Sequence, residues 1–243
     1  MKRLLFSFSI IVALIAHCGY VNGQEEKEVT EKLKLSANVA SGFVWRGQSL
    51  NSTPVIQPSF TFALGRFSIG SWTSTSFVPN EYKEIDLFAS FLITPNLSIG
   101  ITDYYSYDNW SSPNYFSLKN DTTAHAFDLQ LNYNGLGIFP VRAMVSTIIA
   151  GADLNNKGKN NFSTYFELGY GNNFSGVNWD FSVGFVPMSS AFYNLEDFNV
   201  VNVSLSLSKS FTITPTYSLP LSLTFTVNPA EKAAFLTAAI TLF

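Results

Sequence analysis

Few side chains in this sequence combine useful chemistry with useful neighbours. Beyond residue 23 the one imidazole is His125, which falls on the apolar parity of its segment, two residues before Phe127, with no adjacent serine motif. A general base needs a nucleophile or a water within hydrogen-bond reach, and this pattern supplies none. No His, Cys or carboxylate cluster has metal-ligand spacing, so neither an enzyme nor a metal or other cofactor is expected. What remains is a scatter of polar residues on alternate positions: Lys34, Asn38, Arg46, Gln57, Glu84, Asp86, Asp128, Gln130, Glu167 and Asp180. Turned into one enclosed space, Arg46 facing Glu84 or Asp86 would set a transverse field that orients small polar solutes. The bland alternative is that these charges pair with one another and fill the interior.

Alternation is what would gather them. In Asn178-Trp179-Asp180-Phe181-Ser182-Val183-Gly184-Phe185 every second residue is large and apolar, a period of two that means strand. The pattern recurs at Phe127–Tyr133, Val203–Ser208 and Leu221–Val227. About twelve strands of bilayer-crossing length follow from it. They are Lys34–Arg46, Pro54–Leu64, Phe67–Phe77, Glu84–Ile93, Leu97–Tyr107 and Ala124–Tyr133, then Ile138–Ile149, Phe162–Tyr170, Val177–Val186, Asn199–Ser208, Ser218–Val227 and Ala233–Phe243. Pro215 and Pro220 leave a ten-strand count open, because proline is confined to strand starts, edges and bulges.

The amino terminus reads as a secretory signal: Lys2 and Arg3, an apolar run from Leu4 to Ala16, and cleavage after Gly23. An acylated Cys18 is the lesser reading, since His17 is not the small residue such a site needs. Removing Lys2 and Arg3 from 14 basic residues leaves 12 against 17 acidic ones, a net charge of −5 with no cysteine. That balance offers no footprint for nucleic acid and no disulfide. Residues 24–32 are charged and non-periodic, a short tail before a barrel over 33–243.

Aromatics at 16% and charged residues at 13% leave too little charge for a water-facing surface, which draws about a quarter of its residues from Asp, Glu, Lys and Arg. No apolar run after Gly23 is long enough for a transmembrane helix. Connections alternate between tight turns (Gly65-Arg66, Thr94-Pro95-Asn96, Asn134-Gly135, Asn172–Ser175) and longer loops such as Asp108–Thr123 and Ala150–Asn161. Tyr104, Tyr105, Tyr107 and Trp110 near one end, with Tyr133 and Tyr170 near the other, suit interfacial girdles. A soluble sandwich would share the alternation but needs neither feature. The expected fold is therefore all-β, a transmembrane antiparallel up-and-down barrel in a Gram-negative outer membrane, with short turns and both termini periplasmic.

The first third of the chain resembles the TorF-type porins. Val44-Trp45-Arg46-Gly47-Gln48-Ser49 is similar to that family's aromatic-Arg-Gly-x-Ser element, and Pro54–Phe60 to its Pro-Ala-Ile-Gln-Gly-Gly-Phe stretch. Gly70–Ser74 and Glu84–Phe88 continue the series in order. Pro58 and Ser59 stand where the family has glycines, and Ser208–Phe211 looks like its usual carboxyl end, here followed by a further hairpin. The resemblance implies location and fold more than solute.

The expected function is passive diffusion of small polar solutes through a porin. The alternatives are a closed barrel binding partners through its loops and, least, a lipid hydrolase at the rim. Trp45 is expected at the outer interface, with Gly47 turning the chain into its loop. Phe243 ends the chain as an aromatic signal for the barrel assembly machinery. Partners are otherwise outer-membrane lipid, and oligomeric state is not fixed by the sequence.

Overall fold

The computed structural model describes residues 32–107, 115–119, 122–137 and 139–243. The signal peptide, the tail up to residue 31 and Trp110 lie outside the described residues. All regular structure described is strand: β1 (Lys32–Ala40), β2 (Phe43–Trp45), β3 (Gln48–Asn51), β4 (Val55–Leu64), β5 (Phe67–Ser76), β6 (Lys83–Thr94) and β7 (Leu97–Tyr107). Then follow β8 (His125–Tyr133), β9 (Arg142–Gly151), β10 (Thr164–Phe174), β11 (Val177–Val186), β12 (Asn199–Thr214), β13 (Tyr217–Asn228) and β14 (Ala233–Thr241). Twelve of these close into one antiparallel barrel in sequence order, β1 pairing with β4 on one side and β14 on the other, while β2 and β3 form a separate two-stranded sheet.

Period two sorts the side chains. Phe60, Ile69, Leu87, Ile99, Leu129 and Leu168 stand 40–52 % exposed on the outer face, and their polar neighbours turn into the lumen. A sandwich buries the apolar parity; this barrel displays it and encloses the polar one. The barrel strands run from nine to sixteen residues, enough for a tilted strand to cross a bilayer.

Four boundaries differ from the sequence reading by more than two residues, each for a local reason. The first strand stops at Ala40 rather than Arg46, because Gly42 breaks the alternation and the chain leaves the wall. The seventh begins at Arg142, after a turn bridged by Leu136 and Phe139 and ended by Pro140; its expected start, Ile138, lies outside the described residues. The eighth runs through Phe174, moving its turn to Ser175-Gly176, where both residues take positive φ of 52° and 78°. β12 continues through the segment before Pro215, so the count is twelve rather than ten. Pro220 is held inside β13 opposite Ser210.

The tight turns gather at one end of the barrel and the long connections at the other. Lys32 pairs with Ala63 beside the Gly65 turn, and β14 runs toward the turn end along β13, with Ile240 opposite Leu221, so both barrel termini point to the turn end. Phe243 follows the last strand with 70 % of its surface exposed. Its deletion should leave the stability of the folded barrel unchanged while reducing how much is assembled. The check is heat-modifiable protein in the membrane fraction, expected to fall several-fold; unchanged levels would mean Phe243 is no assembly signal.

Candidate functional site

The segment that leaves the wall after Ala40 returns as a small hairpin inside the barrel. Phe43 to Trp45 and Gln48 to Asn51 pair across an Arg46-Gly47 turn with φ of 48° and 83°. Positive φ at both centres is the type I′ geometry that favours Asn, Asp or Gly at the first position. Arginine there carries a backbone penalty of about 1–2 kcal/mol, so contacts of its side chain must hold it. The base of the hairpin is pinned by Asn51, whose Oδ1 accepts from the Thr53 amide at 2.9 Å and Oγ1 at 2.6 Å, and whose Nδ2 donates to the Tyr82 carbonyl.

At the tip, the Arg46 guanidinium reaches the opposite wall. Nη2 donates to Asp128 Oδ2 at 2.9 Å and Nη1 to Tyr193 Oη at 3.0 Å. The group lies over the rings of Trp45 and Tyr165, 4.4 and 4.8 Å from their centroids. Tyr193, from the loop between β11 and β12, stacks on both rings, and burial pushes its phenol up to about 12, so it stays neutral. Trp45 also meets Tyr104 and Phe192 edge-on. The carbonyl of Gly47 accepts from Asn228 Nδ2 at 3.1 Å, tying the tip to β13 as well.

The walls around this tip carry two polar nets. Tyr104 Oη donates to Asp128 Oδ2 at 3.2 Å, and Gln130 Nε2 donates to Asp128 Oδ2 at 3.0 Å and to Tyr104 Oη at 3.1 Å. Tyr165 Oη donates to Glu167 Oε2 at 2.5 Å, with Asn202 Nδ2 on the same oxygen at 3.2 Å. Tyr165 fits because its partner across the ladder's diagonal is Gly184; a Cβ there would stand 2.0 Å from the Tyr165 hydroxyl. Asp128 and Tyr165 are fully buried, and Glu84 and Asp86 nearly so.

The residues singled out in the sequence divide into three groups. Arg46, Asp128, Gln130 and Glu167 meet in the plug just described. Arg46 is not on the first strand and does not face Glu84 or Asp86; its carboxylate is Asp128, because the turn carries it across the lumen. Glu84 and Asp86 lie beside the hairpin on β6, Glu84 accepting from Tyr82 Oη. Gln57 reaches Ser74 Oγ at 3.5 Å, and Asn38 accepts from Thr241 Oγ1 at 2.8 Å across the closing seam. Asp180 and Lys34 belong to the turn half, where Arg142 donates to Asp180 with both side chains about two-fifths exposed. Trp45 is not an interface anchor but the hairpin's main packing residue, and Tyr104 likewise faces inward.

Sequence reasoning missed Tyr104, Tyr165, Tyr193, Asn202, Asn228 and Arg142 as lumenal partners. For Tyr104 and Tyr165 a signal existed: each is a large aromatic on the polar parity, two residues from Thr102 and Glu167. On the outer face His125 is buried against the wall, with Nδ1 2.9 Å from Asp103 and Nε2 2.6 Å from the Tyr115 carbonyl. An Asp–His pair resembles half of a hydrolytic triad, but here Nε2 meets a backbone carbonyl where a hydroxyl nucleophile would be required. Among the described residues no group of His, Cys, Asp and Glu is placed to hold a metal ion. No family model and no curated protein matches this chain.

Proposed function

We propose that this protein is an outer-membrane channel for small polar solutes, closed in the observed conformation by the hairpin β2–β3. One contrast carries this reading. In the turn half the Arg142–Asp180 pair stands two-fifths exposed inside the barrel, whereas Asp128, at the hairpin tip, has no exposure at all. A twelve-strand barrel is wide enough for an aqueous path, and the turn half lines it with small polar residues such as Ser59, Ser90, Ser182, Ser204 and Ser206. The belt of exposed Leu, Ile and Phe supports a lipid-facing outer wall, and the motif likeness to TorF-type porins points the same way. Both termini then face the periplasm and the hairpin enters from outside. His125, with both ring nitrogens engaged by a carboxylate and a carbonyl, serves to hold the Tyr115 segment on the wall, and no catalytic step is assigned.

The second reading is a permanently closed barrel that works through its loops, favoured by the completeness of the seal. Planar-bilayer recording on residues 24–243 separates the two. A protein with 42–51 replaced by a short Gly/Ser turn should give steady open steps, and the intact protein brief and infrequent ones. A folded, hairpinless barrel that stays silent would remove the channel reading.

A further inference from the structure

Between the hairpin and the wall of β6–β8, at the loop end, lies a cavity of about 420 Å³. Its sides carry Trp45, Tyr82, Tyr104 and Phe192, four aromatic side chains from four different elements, and it is edged by the carboxylates of Glu84 and Glu231. None of its described lining residues is basic. Directly below Glu84 on the same inward face, and paired across the ladder with Tyr104, Asp86 is 7 % exposed, and its Oδ1 is buried without a hydrogen-bond partner. Arg46 makes no ion pair with these groups, its guanidinium being committed to Asp128 and Tyr193.

The Glu84 and Asp86 carboxyl groups are hydrogen-bonded to one another with no base among the described lining residues, so a ligand that brings positive charge favours the charge they share. Aromatic faces are negative at the ring centre and attract a cation, most strongly when water is excluded. A neutral sugar would use rings and hydrogen-bond acceptors too, but brings no charge to the carboxyl groups of Glu84 and Glu231. An anion would be repelled. The volume admits a group of a few carbon atoms around one positive nitrogen with room to spare, and its lining mixes apolar and polar surface nearly evenly.

We infer that this vestibule binds small organic cations, amines or quaternary ammonium compounds, held by the rings of Tyr82 and Tyr104 and by the carboxyl groups of Glu84 and Glu231. As a statement about which solute enters the channel it rests on the channel reading; as a binding site it does not need the barrel to conduct.

The test is isothermal titration of the refolded, detergent-solubilised residues 24–243 with choline. The uncharged isostere 3,3-dimethylbutan-1-ol and the neutral sugar glucose serve as comparisons. Choline should bind saturably and at least about tenfold more tightly than the isostere, a difference that charge alone supplies. Glu84→Gln should weaken choline about tenfold. Glu231→Gln, on an exposed turn where Asn228 holds only the backbone amide, should weaken it a few-fold with the fold intact. Equal binding of choline and its isostere, tighter binding of glucose, or no saturable heat from choline would overturn the inference. Choline binding to a barrel that never conducts would remove the channel reading alone, and conduction without choline binding would remove only this one.

Discussion

An Arg46→Ala protein should open about a hundredfold more often than the intact protein in single-channel recordings, with its barrel as stable as before. The guanidinium is the one group that joins the hairpin to Asp128, Tyr193 and the rings of Trp45 and Tyr165 together. Taking it away strands a carboxylate that has no exposure and whose Oδ1 already lacks a partner. Breaking a buried pair from one side costs about 3–5 kcal/mol, and each 1.4 kcal/mol is about a factor of ten. The barrel can avoid that cost without unfolding. Its twelve strands pair only with one another, so releasing the hairpin lets water reach Asp128 while every ladder bond is kept. Adding Asp128→Asn to Arg46→Ala should bring the open probability most of the way back, because the seated hairpin then leaves no unpaired charge buried behind it. Arg46→Lys should fall between, since an ammonium keeps the charge but loses the planar group that stacks between two rings and bonds two partners. An Arg46→Ala channel with unaltered opening would show that the pair fills space and gates nothing.

The fold was legible because period two is a strong local signal. The polar-parity residues Glu84, Asp86, Asp128, Gln130, Glu167 and Asp180 all kept that parity in their strands, with the register of the ladders setting them on one face. The hairpin was not legible, for an equally physical reason. Phe43-Val44-Trp45 has the apolar content of a strand end, and nothing in a one-dimensional pattern distinguishes a strand that continues along a wall from one that bends into the interior. Only the Arg-Gly pair marks the reversal, and arginine is an uncommon first residue for a type I′ turn. Partner choice was lost with it: Arg46 lies 82 positions from Asp128 and 147 from Tyr193, separations that closure of the barrel brings together and that spacing along the chain does not encode. The Pro215 region misled in the other direction. Prolines there interrupt the hydrogen-bond pattern at single positions, yet β12 and β13 pair from Val203–Val227 out to Thr214–Tyr217, because a lone missing donor in so long a ladder is tolerated near the barrel end.

The hairpin's seat can also be tested from the backbone alone, through Gly47. At φ of 83° this residue sits where side chains are strained, and a Cβ added to it would lie 1.8 Å from the Val201 carbonyl oxygen. Val201 is the bulged residue of β12, buried and flanked by Val200 and Asn202, which the ladder to β11 holds, so the wall yields less readily than the hairpin. The hairpin must be what moves, and its bond from Asn228 goes with it. In Gly47→Ala, therefore, the peptide bond that follows Arg46 should become an accessible tryptic site, whereas Arg46 in the intact protein is shielded, with 8 % of its side chain exposed. Limited trypsin digestion of the protein in liposomes, read by mass spectrometry, should show cleavage after Arg46 at least about tenfold faster in the variant, with heat-modifiability of the barrel retained. Gly65→Ala is the matched comparison. It too has positive φ, 59°, but an added Cβ there meets nothing within 4 Å, so it carries the backbone strain without the collision and should leave Arg46 protected. If Gly47→Ala resists trypsin as the intact protein does, the hairpin is seated by something other than the close approach of its turn to β12, and the plug would have to be treated as a fixed part of the wall.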